Sequence, residues 1–285
     1  MLQIPMWPLL PKKRDDAAPS ESASPKSPEE AAPIVARLRS HIEAKPQEPA
    51  TYRVLGNVYC NLQDYKQAIG YYRKAIELSP NDADLHCYTG YAYQQMRSYP
   101  QALTSYQRAL ALRPTASLYD VLGDLCYLLG QHQQALVYYH AGLKLDPAGT
   151  HGHFNMAQIL MAIGRPKDAI EHLEAVIARQ PRAAEAYSDL GVAASLLGDH
   201  DRALANLKKA IKLDGRNAVF YHNYGIVLAR QGKQKDAKAW LEKALKLDPQ
   251  HPQTRRMLGI IQNGRIRAHT TKLDPPEGTT GKLTR

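Results

Sequence analysis

Cysteine is scarce in this 285-residue chain, with Cys60, Cys87 and Cys126 standing 27 and 39 residues apart. That spacing matches no metal-ligand pattern, and an odd number completes no disulfide framework. Reduced thiols in a cytoplasmic or other intracellular setting are expected, with a peripheral place on a membrane or large assembly left open. Phenylalanine and tryptophan are nearly missing, at two each against 17 tyrosines, so tyrosine must supply the aromatic part of any core. No run approaches the ~18 uninterrupted apolar residues of a membrane-spanning helix. Catalytic signatures are lacking too: there is no GxxxxGK[ST], GxGxxG after a strand, HExxH or GxSxG. The pair His151 and His153 is two apart, so on a helix the rings point in different directions and chelate poorly. No enzyme activity, cofactor, metal or small-molecule substrate is expected.

What is present is a period. Ala68, Ala102, Ala135, Ala169, Ala203 and Ala237 follow one another at 34, 33, 34, 34 and 34 residues. Twelve residues before them stand Gly56, Gly90, Gly123, Ala157, Gly191 and Gly225; twelve after stand Pro80, Pro114, Pro147, Pro181, Gly215 and Pro249. A fixed period of this length is one structural unit copied six times. Within a copy, Tyr52, Leu55, Gly56 and Tyr59 form the stripe of one buried helix face, and Ala68, Tyr72 and Ala75 form another. Proline closes the unit because it cannot continue a helix and pushes the preceding residue out of the helical region. The small residues let paired helices approach closely, and a pair this short completes its core only by stacking on neighbours.

These residues, Tyr52, Leu55, Gly56, Tyr59, Ala68, Tyr72, Ala75 and Pro80, resemble the tetratricopeptide repeat family. The fifth copy repeats them as Tyr187, Leu190, Gly191, Ala203, Leu207 and Ala210; the fourth diverges most, with His153 and Ala157 in the aromatic and glycine slots. The resemblance implies an all-α, right-handed superhelical solenoid of about six helix-turn-helix repeats with a half repeat at each end. The expected organisation is a disordered segment over 1–33, rich in proline, serine and alanine, then a degenerate leading half repeat over 34–48. Six repeats follow over 49–251, then a capping helix over 252–267 and a flexible tail over 268–285.

In such solenoids the side of the first helix opposite Tyr52, Leu55 and Gly56 lines a concave groove. Stepping by the period, the candidate groove is Arg53 and Asn57; Asp84, Tyr88 and Tyr91; Asp120, Asp124 and Tyr127; Phe154, Asn155 and Gln158; Glu185 and Asp189; and His222 and Asn223. Carboxylates beside aromatic and amide groups suit a peptide or helix ligand, and the acidic members favour a basic or aromatic-containing one. Two sub-patterns of the family fit incompletely. The clamp for chaperone carboxylate tails matches at Arg53, Gly56 and Asn57 but lacks an amide at Tyr88 and basic groups at Ser117 and Val121. The asparagine ladder that grips peptide backbone matches at Asn155 and Asn223 and is interrupted at Asp189.

Charge is unevenly placed within the net +10: residues 1–201 hold 19 Lys+Arg against 21 Asp+Glu, and 202–285 hold 18 against 6. Lys208, Lys209, Lys212, Lys235, Lys238, Lys243, Lys246, Arg255 and Arg256 could form a basic patch, the basis of an alternative reading as an adaptor for nucleic acid or an anionic surface. At the start of the chain, Trp7 stands in an apolar run before Lys12, Lys13 and Arg14. The charge follows the apolar run, unlike a signal peptide, which suggests a docking segment. The leading expectation is a non-enzymatic interaction scaffold or assembly factor. Its expected partners are proteins offering a peptide or helix, a second copy of the chain, and weakly an anionic surface or nucleic acid.

Overall fold

The computed structural model of the protein describes residue 25 and residues 27–262. Among the described residues there are fourteen helices and no strand. They divide at Asp146 into two compact units. The first carries α1 (Pro28–Ala44), α2 (Pro49–Asn61), α3 (Tyr65–Leu78), α4 (Ala83–Gln95), α5 (Tyr99–Leu112), α6 (Ala116–Leu128) and α7 (His132–Leu145). The second carries α8 (Thr150–Ala162), α9 (Pro166–Arg179), α10 (Ala184–Leu196), α11 (His200–Leu213), α12 (Ala218–Arg230), α13 (Gln234–Leu247) and α14 (Pro252–Gln262).

The architecture is an all-α repeat solenoid built from helix pairs. In the first unit α2 packs on α3, α4 on α5 and α6 on α7; in the second α8 packs on α9, α10 on α11 and α12 on α13. Within each unit the second helix of a pair also touches the first helix of the next, as α3 with α4 and α9 with α10. The period's small residues lie where the paired helices cross. A Cβ on Gly123 would stand 2.6 Å from the Tyr139 ring, and one on Gly225 would stand 2.8 Å from Leu241 Cγ. Ala68, Ala102, Ala135, Ala169, Ala203 and Ala237 have no exposed surface at all.

Tyrosine fills the core of the first unit and leucine that of the second. The residue four after each invariant alanine is Tyr72, Tyr106 or Tyr139 in the first unit, and Leu173, Leu207 or Leu241 in the second, all buried. The turn inside each pair needs a left-handed residue. Gly130, Gly164, Gly198 and Gly232 supply it with φ between 73° and 84°, whereas Gln63 and Arg97 do so at 61° and 57°.

The start of the array differs from the sequence expectation. Residues 28–33, assigned above to a disordered segment, form the first turns of α1. Ser27 caps the helix by accepting from the Glu30 backbone N–H at 3.2 Å. Pro28 occupies a first-turn position where no donor is needed, and Glu29 and Glu30 complement the positive helix end. Proline-rich composition outweighed these local start signals in the sequence reading. At the other end α14 runs to Gln262, and residues 263–267 of the expected capping helix lie outside the described residues, as does the tail.

Candidate functional site

Side chains on the outward face of each first helix meet two different fates. In the first unit Arg53, Asn57, Asp84, Tyr91, Asp120 and Tyr127 are half-buried, with part of each side chain reaching the surface. Asn57 Oδ1 accepts from the Tyr72 hydroxyl at 2.9 Å. Asp84 pairs with the guanidinium of Arg113, the C-cap residue of α5. The Tyr127 ring lies against His132, centroids 5.5 Å apart. Burial, with Cys60 and Tyr65 nearby, pushes the Tyr91 hydroxyl up to about 12, so it stays a neutral donor and acceptor.

Tyr88 and Asp124 depart from the expectation of a solvent-facing groove. Tyr88 is buried, 7% exposed, and stacks on Tyr72 with centroids 5.6 Å apart. Asp124 is 9% exposed and accepts from the Tyr139 hydroxyl of its own helix pair. Both belong to the packing between helices, and neither is open to a ligand.

In the second unit the departure is larger. Gln158, Asp189, His222 and Asn223 are all buried, Asp189 and Asn223 completely. Successive first helices touch there, α8 with α10 and α10 with α12, as α2 does with α4 in the first unit. They bond across the repeats instead. The Gln158 amide donates to Asp189 at 3.4 Å, and the Asn223 amide donates to Ser188 Oγ at 3.3 Å. His222 Nδ1 bonds Thr254 Oγ1 at 2.9 Å. Asn223 is therefore a rung between helices rather than an amide held out to a peptide. Glu185 is exposed, Phe154 and Asn155 are half-buried, and Asn155 donates to His151 Nε2 at 3.0 Å.

The second helices contribute residues that the sequence reading passed over. Tyr65, at the start of α3, packs with Tyr91 on one core cluster. Tyr99, at the start of α5, packs with Tyr91 on the next. Both are half-buried. Their signal was available: each immediately follows the N-cap of a second helix, three residues before the invariant alanine.

The nine basic residues on α11, α13 and α14 are all exposed. Several have local partners. Lys238 pairs with Glu242 at 3.7 Å, and Lys243 lies 4.3 Å over the Trp240 ring. Lys209 lies 5.8 Å over Tyr187. Trp240 itself packs beside Tyr224 with centroids 4.1 Å apart. The docking segment with Trp7, Lys12, Lys13 and Arg14 lies outside the described residues. No helix of the described residues is long and apolar enough to cross a membrane.

The thiols are packing groups. Cys60, Cys87 and Cys126 are buried and unpaired. Burial raises the Cys60 thiol to about 11 and the Cys87 thiol to about 12, which leaves little thiolate near neutrality.

Comparison with known proteins agrees with this geometry. Models described as "TPR repeat" and "Tetratricopeptide repeat" match residues 56–96, 83–116, 116–148, 154–218 and 195–261. No curated protein sequence matches the chain. Among solved structures, the chain is similar to YrrB, described as a TPR protein with an unusual peptide-binding site. The two share 24% identity over 62% of this chain and 92% of that one, with a TM-score of 0.57. It is also similar to MamA from Desulfovibrio magneticus RS-1, at 23% identity over 60% of this chain and 97% of that one, TM-score 0.57. A third is the C-terminal part of a TPR repeat-containing protein from Cytophaga hutchinsonii, at 17% identity over 75% and 86%, TM-score 0.61. At these identities the solved structures support the fold alone. The family matches, which together span most of the chain, and the fourteen-helix repeat in which every paired small residue falls at a helix crossing place this chain in the tetratricopeptide repeat family.

Proposed function

We propose that the chain is a non-enzymatic scaffold for protein–protein interaction, and that its first unit takes a peptide or helix from a partner. The observation that carries this is the pair Tyr91 and Tyr127. Both rings lie on first helices, and both remain half-buried while Tyr72, Tyr106 and Tyr139 of the second helices are sealed in the core. Amphipathic rings with one side packed and one side wet are efficient anchors, because little side-chain freedom is left to lose on binding. Arg53, Asn57, Asp84 and Asp120 share this outward face, so hydrogen-bonding and charged groups accompany the rings. Asp84, paired with Arg113, and Asp120 are the acidic groups of this face. The ligand expected is a segment with aromatic or basic side chains. YrrB, by its description, has a peptide-binding site of its own, which fits this reading.

A peptide array on the full chain tests it. Basic or aromatic segments should dominate, and Tyr91→Ala, Tyr127→Ala and Asp120→Lys should each weaken the best binder about tenfold while the helical content is unchanged. An array dominated by acidic sequences, or binding indifferent to all three substitutions, contradicts the assignment. Self-association belongs to the same proposal, and deleting residues 1–14 should alter either sedimentation or peptide affinity.

The alternative is an anionic partner held by the basic side chains of α11, α13 and α14, favoured by the exposure of all nine. Its signature is a steep loss of polyanion binding as salt rises, with a smaller slope after Lys208→Gln and Lys212→Gln.

A further inference from the structure

We propose that a row of tyrosines in the first unit docks the chain's own residues 5–14 as a polyproline II helix, an inference that rests on the peptide-binding reading above. The row is Tyr65, Tyr91, Tyr99 and Tyr127, all half-buried. Tyr91 packs into one cluster with Tyr65 and into the next with Tyr99, and Tyr127 lies against His132.

Their hydroxyls set these rings apart. Tyr72, Tyr106 and Tyr139 donate inside the helix pairs to Asn57, Gln94 and Asp124, and Tyr52 donates to the Pro46 carbonyl. The hydroxyls of Tyr65, Tyr91, Tyr99 and Tyr127 make no hydrogen bond among the described residues. Burial raises the hydroxyls of Tyr65, Tyr91 and Tyr127 above their ordinary value, so they stay protonated and remain donors. The row therefore offers apolar ring faces with donors along one edge. A polyproline II helix is the complement: it presents flat proline rings, and its carbonyls have no internal partners. An α-helical ligand has already bonded its carbonyls along its own axis.

The chain carries one segment of this kind. Pro5, Pro8 and Pro11 recur every third residue, and no other three of the 19 prolines keep that spacing. Polyproline II turns once in about three residues, so the three rings fall on one edge, and Ile4, Trp7 and Leu10 on the next. From Pro5 to Pro11 it spans ~19 Å, about two interhelical spacings. Lys12, Lys13 and Arg14 follow directly. The helices α4 and α6, which carry Tyr91 and Tyr127, hold Asp84, Asp120 and Asp124 and no lysine or arginine. Asp84 keeps its pair with Arg113 and Asp124 its bond from Tyr139, so the prolines carry the recognition and the cations only assist.

The segment joins the fold at the correct end. Turns of residues 45–48, 62–64 and 96–98 connect α1 to α2, α2 to α3 and α4 to α5. Such short connections reverse the chain, so the start of α1 stands with the end of α2 and the start of α3, which is Tyr65. Ala31 of α1 and Val58 of α2 accordingly share one cluster. The twelve residues 15–26 reach about 40 Å at full extension, enough to pass from α1 to α4 with helices ~8–10 Å apart. A connection this short also keeps the segment at high effective concentration, which favours its own chain over a second copy. Docked there, it competes with any partner peptide for the same rings.

A labelled peptide of residues 1–14 and two full-length chains test this: wild type, and the triple variant Pro5→Ser, Pro8→Ser, Pro11→Ser. The peptide should bind the triple variant at least about tenfold more tightly than wild type, whose site is occupied. Adding Tyr91→Phe and Tyr99→Phe to that variant should weaken the peptide about tenfold at unchanged helical content, since two donors go and the ring faces stay. The peptide with its three prolines replaced by serine should not bind. A photo-crosslinker in place of Trp7 should join the first unit within one chain. Equal affinity for the two chains overturns the proposal, as do indifference to the lost hydroxyls, binding of the serine peptide, and crosslinks between chains alone. The peptide-binding reading survives any of these if array peptides still bind and are weakened by Tyr91→Ala; it fails separately if they are not.

Discussion

The Tyr139 hydroxyl donates to the Asp124 carboxylate fifteen residues earlier, joining the two helices of the third pair from inside. The same link recurs as Tyr72 to Asn57 at 2.9 Å, and in shifted form as Tyr106 to Gln94 at 3.1 Å. The second unit has leucine in this slot and no such link. Tyr139→Phe should therefore cost about 1–3 kcal/mol, since it withdraws a donor from a buried carboxylate. Asp124→Lys should be worse, because it forces a longer, charged side chain into a site that is only 9% exposed. Denaturant unfolding compares the two, and equal midpoints for wild type and Tyr139→Phe would deny the bond any weight.

Arg97 adopts φ 57° in the turn where Gly198 adopts φ 84°. Side chains other than glycine's are strained there, so Arg97→Gly should stabilise by about 0.5–1 kcal/mol, and Gly198→Ala should destabilise by a similar amount. Opposite signs in thermal midpoint are the expected reading; two shifts in the same direction would mean that the turn backbone is not what limits these positions.

Ala135 is fully buried at the crossing of α6 and α7, while Val137, two residues on, is 59% exposed. Ala135→Leu should destabilise by at least ~1–3 kcal/mol by overpacking. Val137→Ala should stay within about 0.5 kcal/mol. Similar melting temperatures for the two variants would place the repeat register wrongly along α7.

Burial lifts the Cys60 thiol from 9.0 to about 11. A group raised in the folded state contributes stability that is intact below its unfolded value and lost as pH rises toward the folded one. Stability should thus decline between about pH 9 and 11, less so in Cys60→Ala, and maleimide labelling at neutral pH should be slow until the chain unfolds. Prompt labelling of native protein at Cys60 would contradict its burial.

Much of the fold was legible because a repeat states its rule several times. The alanine and glycine series marks helix crossings, and no alternative packing tolerates only small residues at those slots. Tyrosine in place of phenylalanine was also a clue. Tyr52 donates to the Pro46 carbonyl and Tyr221 to the Gly215 carbonyl, both at 3.1 Å, and His86 bonds the Pro80 carbonyl at 3.0 Å in the same slot. A phenyl ring could not make that bond.

The candidate groove was only half legible. Its residues were found by stepping the period along one helix, which identifies a face and not what covers that face. Arg53, Tyr91, Asp120 and Tyr127 kept part of their surface, whereas Gln158, Asp189 and Asn223 became rungs between adjacent first helices. Both groups occupy the same side of the helix in sequence terms.

By itself the sequence determined the number of repeats, their helix pairs, the crossing residues and the membership of the family, because each follows from local spacing that one helix turn can read. Only the tertiary structure decided which polar side chains face solvent, which thiols are sealed, and that His222 meets Thr254 of α14. Those outcomes depend on residues about thirty positions apart coming within hydrogen-bonding distance, as His222 and Thr254 do across 32. A helical period encodes which face a residue is on; the neighbour that covers it is set by how one repeat stacks on the next.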